Sequence, residues 1–268
     1  MFKHKIVLLH GENLENELEL TQIILNGLKN HIQFLPNQIK KEIDFNIVEL
    51  MKSTEATLAI LPTTKENLFY PDFVKYIINS FNLDVNLRNF KNFDSQKNVD
   101  LTLAKSNFEN ISKTVKLNSS SRTIWEKELE QMANFSNIKA EDIYLSTSIF
   151  TKIGFKSIFD KVFKYALQNN YSFVANIQEN EILKIEESEI SKEFSKIILK
   201  NMSISESISW LMENSEHCGM IISSPAIIDI ISEICHKISG VETSCESEIG
   251  NAYGIFIGRN CIKQSADD

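Results

Sequence analysis

The sequence predicts an α/β fold with a mostly parallel sheet covered by helices, and two observations support this prediction. Apolar segments of strand length alternate with amphipathic segments of helix length along most of the chain, which is the element order of parallel sheets. The length of 268 residues and the hydrophobic content of 43% suffice for one large domain or two interlocked ones.

In the first half of the chain, short apolar runs predict strands and periodic apolar residues predict helices. Pro62 ends the second strand, and Pro71 is placed where a helix begins. The predicted strands are Lys5–Leu9, Thr57–Leu61 and Leu101–Ala104, and the predicted helices are Asn16–Asn30 and Pro71 to about Phe81. The polar run at 117–122 predicts a loop.

The second half continues the alternation. The broad apolar face of a helix ends at Asn169 and Asn170, and Gly240 provides a stop for the last helix. The remaining predicted elements are a strand at Tyr171–Ile177, a helix at Ser191–Leu199, a helix at Glu206–Glu213, a strand at Gly219–Ser223 and a helix at Ile228–Ile238.

Charge and cysteine content exclude several classes of protein. A formal net charge of −8 without any basic block argues against a nucleic-acid partner. The N-terminal apolar run is too short for a signal peptide or membrane span, so we expect no transmembrane segment and a soluble protein of the cytoplasm or mitochondrial matrix that is not secreted. Four cysteines without a CxxC pair predict reduced thiols and no zinc site.

Two segments resemble a known family. The matching residues are Thr151, Ile158, Phe163, Tyr165 and Ala166 in the first segment, and Asp229, Ile230, Ser232, Ser239, Gly240, Ile249 and Gly250 in the second. Their order and spacing are similar to those of the isocitrate and isopropylmalate dehydrogenases. The resemblance implies a three-layer α/β/α fold with a mostly parallel sheet and two interlocked subdomains. Residues 1–98 with 241–268 would be the remnant of the large, cofactor-side subdomain, and 99–240 the small, dimerisation subdomain.

Members of this family oxidise a 2-hydroxy acid by hydride transfer to NAD or NADP, and decarboxylate the product with Mg²⁺ or Mn²⁺. The resemblance makes Asp229 and Glu233 candidate metal ligands, since spacing i to i+4 places both on one helical face. The family's ligand from the partner subunit falls near Ser205. An alternative interpretation is a solvated polar face, in which Asp229, Ser232, Glu233 and His236 lie opposite Ile230, Ile231, Ile234 and Ile238.

The segment LDVNLRNFK resembles the family's substrate-binding loop and retains Asn86 and Arg88, which we predict to be vestigial substrate-binding residues. An ordinary ion pair is the alternative for Arg88. The family's other substrate-binding positions are altered, and they read Asp72, Val74, Ile78 and Ala104. One guanidinium remains for a substrate that carries several carboxylates.

The family's catalytic and cofactor positions are altered as well. Glu179 stands in place of the catalytic lysine and Ile111 in place of the tyrosine that donates a proton, while Glu181 replaces an asparagine. The glycine-rich start becomes Gly11–Glu17, and the strand and loop that carry the adenine-binding turn read Ile255–Asn260. The sequence ends shortly afterwards, which indicates a C-terminally truncated member. We therefore expect no catalytic residues and no bound cofactor.

These observations predict a catalytically inactive dehydrogenase-like protein, a non-catalytic subunit or structural component of a homo- or hetero-oligomer or of a larger assembly. The helix at Ile227–Ile238 is a candidate interface element, although core burial explains its isoleucines equally well. The alternative is an NAD(P)- and Mg-dependent decarboxylating, isocitrate-like dehydrogenase or its regulatory subunit. A third hypothesis is a sensor that binds a small anion through Arg88.

Overall fold

A computed structural model describes residues 4–11, 14–26, 32–39, 45–62, 69–91, 99–108, 111–116, 144–149, 151–177, 194–214, 219–240 and 245–260. The strands within these ranges are β1 His4–His10, β2 Ile32–Gln38, β3 Ala56–Pro62, β4 Val85–Lys91, β5 Asp100–Ser106, β6 Ile111–Lys116, β7 Tyr144–Ile149, β8 Phe173–Ile177, β9 Ile198–Met202, β10 Gly219–Ile222, β11 Cys245–Ile249 and β12 Gly254–Asn260. The helices are α1 Glu15–Asn26, α2 Phe45–Lys52, α3 Phe69–Phe81, α4 Lys152–Gln168, α5 Ile204–Asn214 and α6 Pro225–Ser239.

Ten of the described strands form one sheet in the order β2-β1-β3-β12-β11-β4-β5-β10-β8-β9. Six of its nine neighbouring pairs are parallel. The three antiparallel pairs are consecutive and lie in the middle of the sheet, where β11 and β4 separate the two parallel parts. The predicted mostly parallel α/β sheet is therefore confirmed.

The strands of the two predicted subdomains occupy separate halves of this sheet. Segments 1–98 and 241–268 contribute the six strands from β2 to β4, and segment 99–240 contributes the four strands from β5 to β9. Each half has its own apolar cluster, one around Phe73 and Ile77 and the other around Leu103 and Ile231. The subdomain boundaries stay a prediction, because both halves belong to one compact unit.

Helices cover both faces of the sheet, as a three-layer fold requires. Asp229 of α6 contacts Arg88 of β4, whereas Tyr165 of α4 donates a hydrogen bond to the neighbouring residue, Asn89. Because consecutive residues of a strand point to opposite faces, α6 and α4 lie on opposite sides of β4.

Helix α6 begins and ends as its sequence predicts, but its buried face is rotated from the predicted one. Pro225 occupies the first turn, and Gly240 ends the helix in the left-handed conformation with φ of 66°. Ser232 is buried and Ile230 is 56% exposed, so the predicted opposition of a polar and an isoleucine face is wrong at these two residues. The core-facing stripe runs through Ile228, Ile231 and Cys235.

The predicted helix at Ser191–Leu199 is wrong in its described part. Residues 194–197 form a short turn, and Ile198 begins strand β9, which pairs with β8 in parallel. The successive β-branched side chains of Ile197 and Ile198 favour a strand over a helix. The other predicted helices and strands are confirmed within the described residues, while the loop at 117–122 lies outside them.

A second compact unit comprises Phe108–Phe155. Its described strands, β6 and β7, pair antiparallel and form a separate two-stranded sheet. Thr151, one of the residues that carry the family resemblance, accepts a hydrogen bond from the backbone N–H of Gly154 at 3.0 Å and so caps the start of α4. Among the described residues, every helix is too short or too polar to span a bilayer.

Gly250 lies where the backbone after β11 passes close to the end of α3. A methyl group at this position would lie 2.8 Å from the carbonyl oxygen of Asn82 and 3.3 Å from that of Phe81. Gly250→Ala is therefore expected to lower the free energy of unfolding by about 1–3 kcal/mol, measured by urea denaturation. Gly254→Ala is the matched control, because its methyl group would meet atoms no closer than 3.7 Å. Equal effects of the two substitutions would contradict the steric explanation.

Candidate functional site

Asn86 and Arg88 lie on strand β4 in the middle of the sheet, so the loop predicted for this segment is wrong. Alternating side chains explain the strand, since Val85 and Leu87 are buried on one face while Asn86 and Arg88 point to the other. Asn86 is 2% exposed, and the Arg88 side chain is 16% exposed. Both polar groups are thus nearly withdrawn from water.

The strands on either side of β4 place further charged residues on this face. Strand β11 puts Glu246 opposite Arg88 and Glu248 opposite Asn86. Strand β5 puts Lys105 opposite Asn86 on the other side. Because directly opposite residues share a face, these side chains form one polar cluster at the antiparallel centre of the sheet.

Helix α6 brings Asp229 onto this cluster. Its Oδ1 atom lies 2.9 Å from Nη1 of Arg88 and 2.9 Å from Nζ of Lys105. Partial burial acts to raise the pKa of Asp229, but the hydrogen bond and charge of Lys105, together with Arg88, outweigh it and lower that pKa below its usual value. Asp229 is therefore ionised at neutral pH and engages two cations.

Arg88 also faces Glu246, so it lies between two carboxylates. Its Nε atom is 3.6 Å from Oε1 of Glu246, which is 7% exposed. That distance is too long for a hydrogen bond, and Nε has no hydrogen-bond partner among the described residues. Arg88 and Glu246 therefore attract each other electrostatically without a hydrogen bond. Arg88 contacts Asp229 more closely, at 2.9 Å.

Glu248 is held by amide groups. Asn86 and Asn107 each donate a side-chain N–H to one of its carboxylate oxygens at 2.7 Å. Burial raises the pKa of Glu248, and Glu246 adds to this, while the two amides and Lys105 act in the opposite direction. The net pKa is raised, so Glu248 loses its proton less readily than an exposed glutamate.

Comparison with known proteins finds similarity between this chain and the dehydrogenases that its sequence resembles. The chain is 27% identical over 157 residues to isocitrate dehydrogenase (NADP) of Rickettsia bellii, a match covering 56% of this chain and 32% of that protein. The corresponding protein of Rickettsia conorii matches at 27% identity over 179 residues, which is 60% of this chain and 37% of that protein. No family model matches.

Solved structures show the same fold. A beta-decarboxylating dehydrogenase from Thermococcus kodakarensis superimposes with a TM-score of 0.71 at 14% identity, over 95% of this chain and 74% of that one. Isocitrate dehydrogenase from Methylococcus capsulatus gives 0.68 at 15% identity, over 95% and 77%. The chain is thus similar in sequence to isocitrate dehydrogenases and shares the fold of these decarboxylating dehydrogenases. The predicted resemblance and fold are confirmed, and the match spans about a third of the length of the curated relatives.

The candidate metal ligands inferred from the resemblance do not fit a divalent cation. Asp229 already engages Arg88 and Lys105, whose charges repel a metal ion. Glu233 is exposed one turn further along α6, and Ser205 is exposed on α5. Within the described residues, no three His, Cys, Asp or Glu side chains are grouped as a metal site requires. The ring of His236 packs against Phe90 at a centroid distance of 4.8 Å.

The cofactor positions inferred from the resemblance lie in two places. Residues 255–260, to which the strand and loop of the adenine-binding turn were assigned, all belong to strand β12 alongside β3. A strand in this register provides no turn for an adenine ring. The backbone N–H of Gly11 donates to the carbonyl of Ile60, and residues 12–13 lie outside the described ones. The described residues 255–260 therefore form no adenine-binding turn, and the absence of a bound cofactor stays a prediction.

The other substituted positions of the family are dispersed. Asp72 is exposed on α3, and Val74 and Ile78 pack against the core of the first half of the sheet. Ala104 is fully buried beside Lys105. Glu179 and Glu181 lie outside the described residues, as does the side chain of Ile111. Of the site residues inferred from the sequence, the structure brings Arg88 and Asp229 together, and the other described positions share no common site with them.

Lys105, Glu246, Glu248 and Asn107 belong to the cluster but were missed by the sequence prediction. The segment CESEI carries a detectable signal, because two glutamates at spacing i, i+2 share one face of a strand. Lys105 follows four mostly apolar residues in LTLAK and continues their strand alternation. Only the pairing of β11, β4 and β5 shows that these charges meet.

The raised pKa of Glu248 predicts a specific pH dependence of stability. The folded chain holds this proton to a higher pH than the unfolded chain, so the stability that Glu248 contributes is present below its unfolded pKa and lost as the pH rises through its folded pKa. Glu248→Gln cannot ionise. The free energy of unfolding of this variant, measured against wild type by denaturant titration, is therefore expected to increase as the pH rises above about 4.

Glu206→Gln is a control of opposite sign. Hydrogen bonds from the backbone N–H and the hydroxyl of Ser203 lower the pKa of Glu206, so its contribution to stability is lost as the pH falls. The Glu206→Gln variant should lose stability relative to wild type as the pH rises. Parallel pH profiles for the two variants would show that burial of Glu248 does not control its ionisation.

Proposed function

We propose that this chain is a catalytically inactive member of the isocitrate/isopropylmalate dehydrogenase family that serves as a non-catalytic subunit or structural component of a protein assembly. The main support is the contact of Asp229 with both Arg88 and Lys105. By the resemblance, Arg88 would bind a substrate carboxylate and Asp229 a metal ion. In this chain the two groups neutralise each other.

An anionic substrate would meet an unfavourable environment at this cluster. To reach Arg88 it would have to displace Asp229, and it would then lie near Glu246. Like charges at such distances are repelled strongly in a partly desolvated site. The third hypothesis, a sensor that binds a small anion through Arg88, is disfavoured for the same reason.

The catalytic positions inferred from the resemblance point in the same direction. Glu179 in place of the lysine reverses a charge, and Ile111 in place of the tyrosine removes a proton donor. Neither residue supplies the proton transfer that decarboxylation requires, so the proposal includes no catalytic residue and no cofactor.

Two features support association with other chains. Met212 on α5 is 65% exposed and Ile230 on α6 is 56% exposed, and exposed apolar side chains of this size are common at interfaces. The described part of Phe108–Phe155 is a two-stranded sheet, an arrangement that is marginally stable in water by itself. We propose a homo- or hetero-oligomer with related subunits, located in the cytoplasm or the mitochondrial matrix.

The alternative function is an NAD(P)- and Mg-dependent decarboxylating dehydrogenase, or its regulatory subunit. The curated relatives are named isocitrate dehydrogenase (NADP), and the contact between Arg88 and Asp229 keeps two residues of the inferred site adjacent. A ligand that opened this ion pair would expose both groups.

An activity assay separates the two functions. The full chain, with Mn²⁺, NAD or NADP and a panel of 2-hydroxy di- and tricarboxylic acids, is expected to produce no more reduced nicotinamide than the Asp229→Ala variant, followed by absorbance. The physical reason is the occupation of Asp229 by two cations. Turnover that is lost in Asp229→Ala would overturn the non-catalytic proposal and establish the alternative.

Sedimentation tests the association. The chain is expected to sediment as an oligomer by itself, or to form a mixed species when co-expressed with an active isocitrate dehydrogenase. Ile230→Glu is expected to weaken this association by placing a charge in the interface. Ile24→Glu is the matched control, since Ile24 is 73% exposed on α1. A species the size of one chain under both conditions would refute the assembly role.

A further inference from the structure

The guanidinium of Arg88 and the ammonium of Lys105 contact the carboxylate of Asp229 where a metal ion would otherwise bind it. Both nitrogens lie 2.9 Å from the same oxygen, Oδ1. We propose that these two tethered cations replace the divalent cation at this carboxylate and thereby fasten helix α6 to strands β4 and β5 without metal. This inference concerns folding and holds whether or not the chain has catalytic activity.

Burial distinguishes these contacts from ordinary surface ion pairs. The side chains of Arg88 and Lys105 are 16% and 15% exposed, whereas Asp229 is 56% exposed. Two cations have therefore been largely desolvated beneath one carboxylate that covers them. Desolvated charges without a counter-ion are strongly unfavourable, so the cations require Asp229 more than Asp229 requires them.

The charges of the cluster are balanced without an added ion. Arg88 faces Glu246 in addition to Asp229, and Lys105 is opposite Asn86, which donates to Glu248. Two cations thus stand against the carboxylates of Asp229 and Glu246, while Glu248 accepts hydrogen bonds from the amides of Asn86 and Asn107. A divalent ion would add positive charge to a cluster that is already compensated.

The cluster links helix α6 to the strands β4 and β5 beneath it. Asp229 lies in the second turn of α6, and Lys105 lies 124 residues earlier, near the end of β5. The apolar stripe of α6 through Ile231 and Cys235 packs on Phe90 and Leu103. The ion pairs therefore add a directional contact at the exposed edge of a helix whose other side is held by apolar packing.

Thermal unfolding of the full chain in EDTA tests this inference first. Asp229→Asn is expected to lower the unfolding temperature by about 2–4 °C, and Lys105→Met by less, because Asp229 then keeps Arg88 as its partner. The matched controls are Glu233→Gln, an exposed carboxylate one turn along α6, and Lys75→Met, an exposed lysine on α3, which should leave the unfolding temperature unchanged. The double variant should be little worse than Asp229→Asn alone, because the two residues act on each other.

Addition of Mn²⁺ supplies the second measurement. The unfolding temperature of wild type in millimolar Mn²⁺ is expected to equal that in EDTA. Electron paramagnetic resonance should show the same amount of bound Mn²⁺ in wild type and in Asp229→Asn. A rise with Mn²⁺ that both Asp229→Asn and Glu233→Gln abolish would overturn the inference in favour of a metal site. Fully additive effects of Asp229→Asn and Lys105→Met in EDTA would overturn it as well, since tethered cations require coupling.

Discussion

Two glutamates buried on the same face of one strand impose the constraint on which the centre of this molecule depends. Glu246 and Glu248 are 7% and 4% exposed on β11, and buried carboxylates must be paired, hydrogen-bonded or protonated. Arg88 faces the first, and the amides of Asn86 and Asn107 hold the second. The antiparallel pairing of β11 with β4 brings these partners into line. The polar composition of the central strands therefore follows from the two carboxylates.

The junction between the two halves of the sheet coincides with this polar region. Apolar clusters fill the parallel parts on either side, whereas charged and amide side chains line the face of β11, β4 and β5 beneath α6. Polar groups at such a junction favour one strand register, because a slip by one residue would place every charge on the opposite face. The two halves of the sheet each have their own apolar cluster. The polar groups at the junction fix the register in which their strands pair.

Local patterns predicted most of the fold, and pairing between distant segments explains what they missed. Gly240 stops α6 because glycine adopts the left-handed conformation readily, a property visible in one residue. Arg88 was assigned to a loop through the resemblance to the family's substrate-binding loop, whereas its place on a central strand depends on pairing with β11 and β5. The rotation of α6, which buries Ser232 and exposes Ile230, depends on how the helix docks. Of the candidate site, the sequence predicted Arg88 and Asp229, whereas Lys105 and Glu246 required the register of the sheet.

The persistence of Asp229 has a physical explanation that does not involve a metal ion. Without this carboxylate, Arg88 and Lys105 would be left as two nearly buried cations with Glu246 as the remaining close counter-charge. Repulsion and lost solvation would then destabilise the docking of α6. The two cations depend on Asp229 whether or not a metal ion was ever bound there. Alignment of an aspartate with a family's metal ligand therefore indicates common descent, and the groups that contact its oxygens indicate what it binds.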